Sequence, residues 1–125
     1  MLFSTRQIGD IGEQFAEKFL RKNGYKILER NFLRKCGEID IIASKGEYIV
    51  FVEVKTRKTN SLTQPVEAVT KKKIRCIVKT ASLYLAENKI DSFCRFDICE
   101  VFLSPDNHKL EKINYIEDAF YGEQY

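Results

Sequence analysis

The sequence predicts an α/β protein in which two long helices accompany a mixed sheet of about five strands. Two segments repeat apolar residues at helical spacing, one near the N-terminus and one in the second half of the chain. Five shorter segments are rich in β-branched and aromatic residues and are bounded by turn-forming residues. Along the chain these segments give the order αβββαββ, which is typical of a mixed α/β sandwich.

The first helix is predicted from its cap and its apolar stripe. Ser4 and Gln7 have the spacing of a capping box, in which side chain and backbone at the helix start satisfy each other. Asn23 and Gly24 are typical of residues that end a helix. Between these limits one stripe of apolar residues recurs at helical spacing, formed by Ile8, Ile11, Phe15, Ala16, Phe19 and Leu20.

Three strands are predicted to follow the first helix. They cover residues 25–33, 38–44 and 47–56, where β-branched and aromatic residues are frequent. Lys45 and Gly46 separate the second strand from the third. We therefore expect these two residues to form the loop of a tight hairpin.

The second half of the chain is predicted to hold a helix and two strands. A polar loop over residues 58–64 leads to Pro65, and the helix then runs to about Asn88. Thr70 is suited to cap the main body of this helix. The strands cover residues 93–103 and 109–115. The helix turns its apolar residues to the core, namely Ile74, Ile77, Val78, Ala81 and Leu85.

Composition narrows the class of protein. A chain of 125 residues with 44% hydrophobic and 31% charged residues can form one folded domain, so we expect a single domain over residues 1–125. The longest apolar run, residues 48–52, is far too short to cross a membrane, and the N-terminus turns polar at once. We therefore expect a soluble, cytoplasmic protein without a membrane partner. With one histidine and no CxxC pair, we expect free thiols at Cys36, Cys76, Cys94 and Cys99.

Positive charge is concentrated in the middle of the chain. The formal net charge is only +3, yet residues 55–79 hold eight basic residues and one acidic residue. This asymmetry favours an anionic partner for that segment, although a solvated helix face would also account for it. The residues expected to contact nucleic acid are Arg57, Lys58, Lys71, Lys72, Lys73 and Arg75.

The predicted hairpin assigns side chains to faces of the sheet. With Lys45 and Gly46 as its loop, the register sets Asp40 opposite Phe51 and Glu38 opposite Glu53. One face then holds acidic, basic and apolar residues: Glu38, Asp40, Ile42, Ile49, Phe51, Glu53 and Lys55. The opposite face is apolar and is expected in the core, formed by Ile39, Ile41, Val50, Val52 and Val54.

The polar face has the residue types of a metal-dependent hydrolytic site. Asp40 and Glu53 could bridge one hard divalent cation, which prefers carboxylate oxygens and keeps positions open for water and phosphate. Lys55 points the same way and could orient water or stabilise charge on phosphorus. The alternative is an exposed strand face with Glu–Lys pairs.

Two segments resemble a known nuclease core. Residues 37–43 (GEIDIIA) and 51–57 (FVEVKTR) are similar to the PD-(D/E)xK nuclease motif and, in detail, to the YraN-type family of bacterial endonuclease-like proteins. The resemblance extends over nearly the whole chain and implies a restriction-endonuclease-like fold close to Holliday-junction resolvases. It also implies that Asp40 and Glu53 bind Mg²⁺ or Mn²⁺, that Lys55 is the catalytic lysine, and that Glu13 completes the site.

The resemblance implies a metal-dependent endonuclease that acts on DNA, including branched or structured DNA. Two alternatives stay open: a catalytically silent accessory module that binds nucleic acid, and a nuclease directed at RNA. Analogy with junction resolvases implies a homodimer.

Overall fold

The computed structural model describes residues 3–59 and 70–120 and confirms the predicted order αβββαββ. The predicted loop from residue 60 onward and the predicted start of the second helix after Pro65 lie outside the described residues. The elements are α1 (Thr5–Lys22), β1 (Lys26–Arg34), β2 (Gly37–Lys45), β3 (Tyr48–Lys58), α2 (Lys71–Glu87), β4 (Phe93–Leu103) and β5 (Leu110–Ile116).

Both helices begin at their predicted caps. The Ser4 hydroxyl accepts a hydrogen bond from the Gln7 N–H at 3.1 Å, and the Gln7 side chain accepts one from the Ser4 N–H at 2.8 Å. The Thr70 hydroxyl accepts a hydrogen bond from the Lys73 N–H at 3.1 Å. These bonds satisfy N–H groups that the first turn of a helix leaves without partners. No helix among the described residues is both long and apolar enough to span a membrane.

The five strands form one mixed sheet whose spatial order follows the chain, β1-β2-β3-β4-β5. Only β3 and β4 are parallel, and the other neighbours are antiparallel. A parallel pair needs a connection that crosses one face of the sheet, and α2 lies in that connection. This arrangement agrees with the predicted fold class, a restriction-endonuclease-like core.

Both faces of the sheet are covered by helices. On one face, Leu20 of α1 packs in a core cluster with Val50 and Val52. On the other face, Ile77 of α2 packs in a second cluster with Phe51. The face that carries the predicted acidic site is therefore itself buried at its centre.

The turn of the β2–β3 hairpin differs from the prediction by one residue. Lys45 pairs with Tyr48, so Gly46 and Glu47 form the two-residue loop. The backbone φ of Gly46 is +57°, whereas the φ of Glu47 is not positive. Glycine at the first central position is the pattern of a type II′ turn, because it adopts this conformation without steric cost. In the loop predicted at Lys45 and Gly46, the same glycine would have occupied the second central position of the turn.

The observed register corrects the predicted partners but keeps the faces predicted for β3. Phe51 lies opposite Ile42, not opposite Asp40, and the predicted pairing of Glu38 with Glu53 is also wrong. The shift equals two residues, and side chains alternate with a period of two, so each residue of β3 keeps its face. Continued by one pair, this register brings Asp40 beside Glu53.

Ile39 is on the opposite face from the one predicted. It packs in the α2-side cluster, whereas Ile41 packs in the α1-side cluster, so the alternation of β2 breaks at Asp40. Across the β1–β2 ladder, Asn31 has a φ of +53°, which is left-handed backbone. A strand residue in that conformation interrupts the regular pleat. The interruption lies beside Asp40 and explains the reversed face of Ile39.

Candidate active site

Asp40 is held by the backbone of the neighbouring strand. The ladder between β2 and β3 is observed from the pair of Lys45 and Tyr48 to the pair of Ile41 and Val52. Just beyond the last of these pairs, the Val54 N–H donates a hydrogen bond to the side chain of Asp40, with 2.8 Å between Val54 N and Asp40 Oδ2. A donor in the backbone of a strand fixes the orientation of the carboxylate. Asp40 is thus anchored where the alternation of β2 breaks.

Glu53 is a buried carboxylate with one oxygen that lacks a partner. The residue is 5% exposed, and its Oε1 atom is buried without a hydrogen bond among the described residues. Its other oxygen, Oε2, lies 3.7 Å from Lys73 Nζ. A buried acceptor without a partner costs free energy, so its presence suggests a ligand. The unpaired Oε1 is suited to accept a cation.

Burial and mutual repulsion disfavour negative charge on the acidic pair. Burial, and next the charge of Asp40, raise the pKa of Glu53 to about 7. Burial also raises the pKa of Asp40, and the hydrogen bond from Val54 opposes that rise. The charge of Lys73 lowers both pKa values. A divalent cation would stabilise the ionised pair more strongly.

Lys55 lies two residues after Glu53 on the same face of β3. It is half-buried, and its charge lowers the pKa of both Asp40 and Glu53. The lysine is therefore within electrostatic reach of both carboxylates. This placement agrees with the common face that the sequence predicted for Glu53 and Lys55.

Glu13 approaches from the α1 side of the sheet. The residue before it, Gly12, has no room for a side chain, because a Cβ there would collide with Thr56 of β3. This close packing brings Glu13 to the site. Burial raises the pKa of Glu13, and the charge of Asp40 raises it further, so the two acids are close enough to repel each other.

Arg30 holds Glu13 in place and was not predicted as a site residue. Its guanidinium lies 3.5 Å from Glu13 Oε1 and 3.6 Å from Glu17 Oε1. Its Nε atom is buried without a hydrogen bond partner among the described residues. Arg30 Nε and Glu53 Oε1 are the two buried side-chain atoms of the described chain that lack such a partner, and both belong to this region.

The basic residues predicted to bind nucleic acid divide into three groups. Arg57 forms a half-buried ion pair with Glu100, with 2.9 Å between Arg57 Nε and Glu100 Oε2. Lys73 contacts Glu53 inside the candidate site. The rest are exposed, namely Lys58, Lys71, Lys72 and Arg75.

The donor set fits a hard divalent cation held by two carboxylates. Asp40 and Glu53 supply oxygen ligands, and Mg²⁺ commonly takes one or two carboxylates and completes its shell with water and phosphate oxygens. Within residues 3–59 and 70–120, no three acidic, histidine or cysteine side chains are grouped as a metal cluster. Glu13 therefore lies beside the acidic pair without closing a three-ligand group in this structure.

A second charged network lies around Arg95 and Asp97 of β4, next to the α1-side cluster. Asp97 is fully buried, and the Arg95 guanidinium donates to both of its carboxylate oxygens, at 2.9 Å and 2.8 Å. The Tyr115 hydroxyl and the Asp118 N–H donate to the same carboxylate. Through the bonds from Tyr115 and Asp118, the buried Asp97 ties β5 and the residues after it to β4.

Comparison with known proteins identifies the family. The profile of the uncharacterised protein family UPF0102 matches residues 12–101. A UPF0102 protein of Caldanaerobacter subterraneus subsp. tengcongensis is 48% identical over 118 residues, which cover 94% of this chain and 97% of that protein. A UPF0102 protein of Caldicellulosiruptor saccharolyticus is 45% identical over 118 residues, which cover 94% of this chain and 99% of that protein.

A third relative extends the same likeness to another genus. A UPF0102 protein of Geotalea daltonii is 48% identical over 117 residues, which cover 93% of this chain and 91% of that protein. The matched profile includes Glu13 and the hairpin of Asp40, Glu53 and Lys55. The resemblance to YraN-type proteins is confirmed: the chain belongs to the uncharacterised protein family UPF0102.

Proposed function

We propose that this protein is a metal-dependent endonuclease that hydrolyses phosphodiester bonds in DNA, including branched or structured DNA. The observation that carries the proposal is the buried pair of Asp40 and Glu53, in which Glu53 Oε1 has no hydrogen bond partner among the described residues. A buried, mutually repelling acidic pair is costly unless a cation binds it. Such pairs are typical of functional sites.

The acidic pair supplies the metal ligands in this proposal. Asp40 is oriented by the Val54 N–H, and Glu53 is fixed by burial, so neither carboxylate must be reorganised to receive an ion. When bound, Mg²⁺ or Mn²⁺ would supply positive charge that polarises the phosphodiester and helps to ionise the attacking water. Glu13, held by Arg30, adds negative charge next to Asp40.

Lys55 acts on the substrate from the same face of β3 as Glu53. Its ammonium group donates hydrogen bonds to the attacking water and to the phosphate, where negative charge develops during hydrolysis. Because the lysine is half-buried and already near both carboxylates, little reorganisation is needed at the moment of reaction.

The DNA backbone is bound by exposed cations around the site. Lys71, Lys72 and Arg75 lie in the first turns of α2 and Lys58 lies at the end of β3, and all four are exposed. Phosphate contacts of this kind supply affinity and register, without sequence preference.

A second candidate function is a nucleic-acid-binding module without catalysis. Lys73 already contacts Glu53, and a pKa of about 7 leaves Glu53 partly neutral at physiological pH. Such a site could persist without metal. The exposed cations would serve this function equally well.

A cleavage assay on matched substrates separates these functions. The protein is incubated with a four-way junction, a flap, linear duplex and single strands, each as DNA and as RNA, in Mg²⁺, Mn²⁺ or EDTA. The endonuclease proposal expects cleavage of at least one DNA substrate with either metal and none in EDTA, and loss of cleavage in Asp40→Asn. Binding without cleavage of any substrate supports the module, and cleavage confined to RNA supports an RNA nuclease.

A further inference from the structure

Lys73 differs from the other lysines at the start of α2 because it contacts the acidic site. Thr70 caps the helix through the Lys73 N–H, which sets this residue in the first turn. Its Nζ lies 3.7 Å from Glu53 Oε2, and its side chain is 46% exposed. Lys71 and Lys72, its neighbours in sequence, are exposed. Of the three consecutive lysines, Lys73 is therefore the one that is placed against Glu53.

The charge of Lys73 acts on both proposed metal ligands. It lowers the pKa of Asp40 and of Glu53, so it stabilises their ionised forms when no metal is bound. An ammonium group and a divalent cation attracted by the same carboxylate repel each other. Binding of the ion at Glu53 is therefore in competition with the contact made by Lys73.

Space for a phosphate exists next to this contact. A cleft of about 300 Å³ lies at the junction of α2 and the β1–β2 turn, and its lining combines the polar residues Glu38, Thr70, Lys72 and Lys73 with less polar ones such as Cys76 and Ile77. Half of the Lys73 side chain faces solvent, and lysine has a long flexible stem. The ammonium group can thus reach a ligand in the cleft without movement of the helix.

We propose that Lys73 is a positioning residue that acts as an internal counter-ion of the acidic pair and exchanges Glu53 for a DNA phosphate when a divalent ion binds. This proposal rests on the metal-dependent function proposed above. It makes metal binding and DNA binding mutually favourable, because each ligand removes a competitor of the other. Lys73 would thus couple the two ligands, whereas Lys71 and Lys72 would add only to DNA affinity.

Metal binding without DNA gives the first test. Isothermal titration calorimetry with Mn²⁺ compares wild type, Lys73→Met and the matched control Lys72→Met. Removal of a positive charge that competes for Glu53 should tighten Mn²⁺ binding about tenfold in Lys73→Met. Lys72→Met should bind Mn²⁺ within about twofold of wild type, since Lys72 is an exposed residue of the same helix turn.

DNA binding with and without metal gives the second test. Fluorescence anisotropy on a DNA duplex is measured in Mn²⁺ and in EDTA, with Lys55→Ala present in every variant to suppress cleavage. Mn²⁺ is expected to tighten DNA binding by some factor. Adding Lys73→Met should make that factor at least about three times smaller. Adding Lys72→Met should weaken DNA binding similarly in both conditions and leave that factor unchanged.

The results separate this proposal from the proposed function. If wild type binds Mn²⁺ but Lys73→Met binds it no more tightly, the counter-ion role is overturned while the nuclease function stands. The same holds if Lys72→Met and Lys73→Met change the metal–DNA coupling equally. If wild type binds no Mn²⁺ with DNA present, the metal-dependent function itself fails. Should Lys73→Met not fold, as judged by circular dichroism, Lys73→Gln replaces it in both tests.

Discussion

The Asp40 carboxylate accepts a hydrogen bond from the Val54 N–H at 2.8 Å, at the point where the paired backbone of β2 and β3 gives way to the acidic site. A carboxylate held by a strand backbone has little freedom to turn away from a ligand. The adjacent Glu53 is buried with one oxygen unpaired among the described residues, and its other oxygen lies 3.7 Å from Lys73 Nζ.

Asp40→Asn removes a negative charge at nearly constant volume. We expect Mn²⁺ affinity to fall by about tenfold or more, because a neutral amide is a weaker ligand for a hard cation. DNA binding in EDTA should persist or tighten, since one source of repulsion with phosphate is lost. Calorimetry and anisotropy measure the two effects. The control Glu47→Gln changes an exposed acid of the hairpin turn, and an equal loss of Mn²⁺ affinity in this control would contradict the assignment.

Glu53 should make the metal-free protein less stable as the pH rises. Its pKa is raised from 4.5 to about 7, so the native state retains a proton that the unfolded state releases in this range. The stabilisation is therefore complete below pH 4.5 and is lost as the pH rises through 7. Relative to Glu53→Gln, which does not ionise, wild type should lose up to about 3 kcal/mol of unfolding free energy between pH 5 and pH 8.

Urea unfolding in EDTA at several pH values measures this difference. Added Mg²⁺ should restore the stability of wild type at pH 8 and have little effect on Glu53→Gln, because an ion that binds only the native state stabilises it. Parallel pH profiles of the two proteins would show that Glu53 does not carry the raised pKa.

The exposed lysines of α2 should determine the salt dependence of DNA binding. If four to seven basic residues contact phosphate, the slope of log K against log salt should be about −4 to −6 on duplex DNA. Replacing Lys71 and Lys72 together by alanine should flatten the slope by about 2. A slope unaffected by the double replacement would identify these lysines as a solvated helix face.

Asp97 should be essential for stability but not for metal binding. Its buried carboxylate accepts hydrogen bonds from Arg95, Tyr115 and the Asp118 N–H. Asp97→Ala would leave the Arg95 charge with only the 3.8 Å contact to the exposed Glu117, and should cost about 3–5 kcal/mol of unfolding free energy in urea. Asp106→Ala, at an exposed turn position, is the control and should cost less than about 0.5 kcal/mol. A small loss in Asp97→Ala would contradict the structural role.

Local patterns predicted the elements well and the contacts between them less well. Helical spacing and the capping residues Ser4 and Thr70 gave both helix starts within the described residues. The hairpin turn was misplaced, because Lys45–Gly46 and Gly46–Glu47 are both two-residue loops. Only the backbone conformation of Gly46, which a sequence does not state, distinguishes them.

The reversed face of Ile39 and the partners of the cations were beyond the sequence for a different reason. The face of Ile39 depends on an interruption next to Asn31, on another strand. The contacts of Lys73 with Glu53 and of Arg57 with Glu100 join residues far apart in the chain. No periodicity within one element encodes such contacts. The common face of Glu53 and Lys55 was predictable because a shift of two residues preserves the faces of β3.

Single-turnover cleavage by wild type and Lys55→Ala tests the central claim most directly. The DNA substrate is the one that the cleavage panel selects, and Mn²⁺ affinity is measured on the same preparations. We predict that wild type cleaves only with Mg²⁺ or Mn²⁺, and that Lys55→Ala binds Mn²⁺ at least as tightly but cleaves about 100-fold more slowly or worse. Equal cleavage rates in the two proteins, or cleavage by wild type that persists in EDTA, would contradict a metal-dependent nuclease site at Asp40, Glu53 and Lys55.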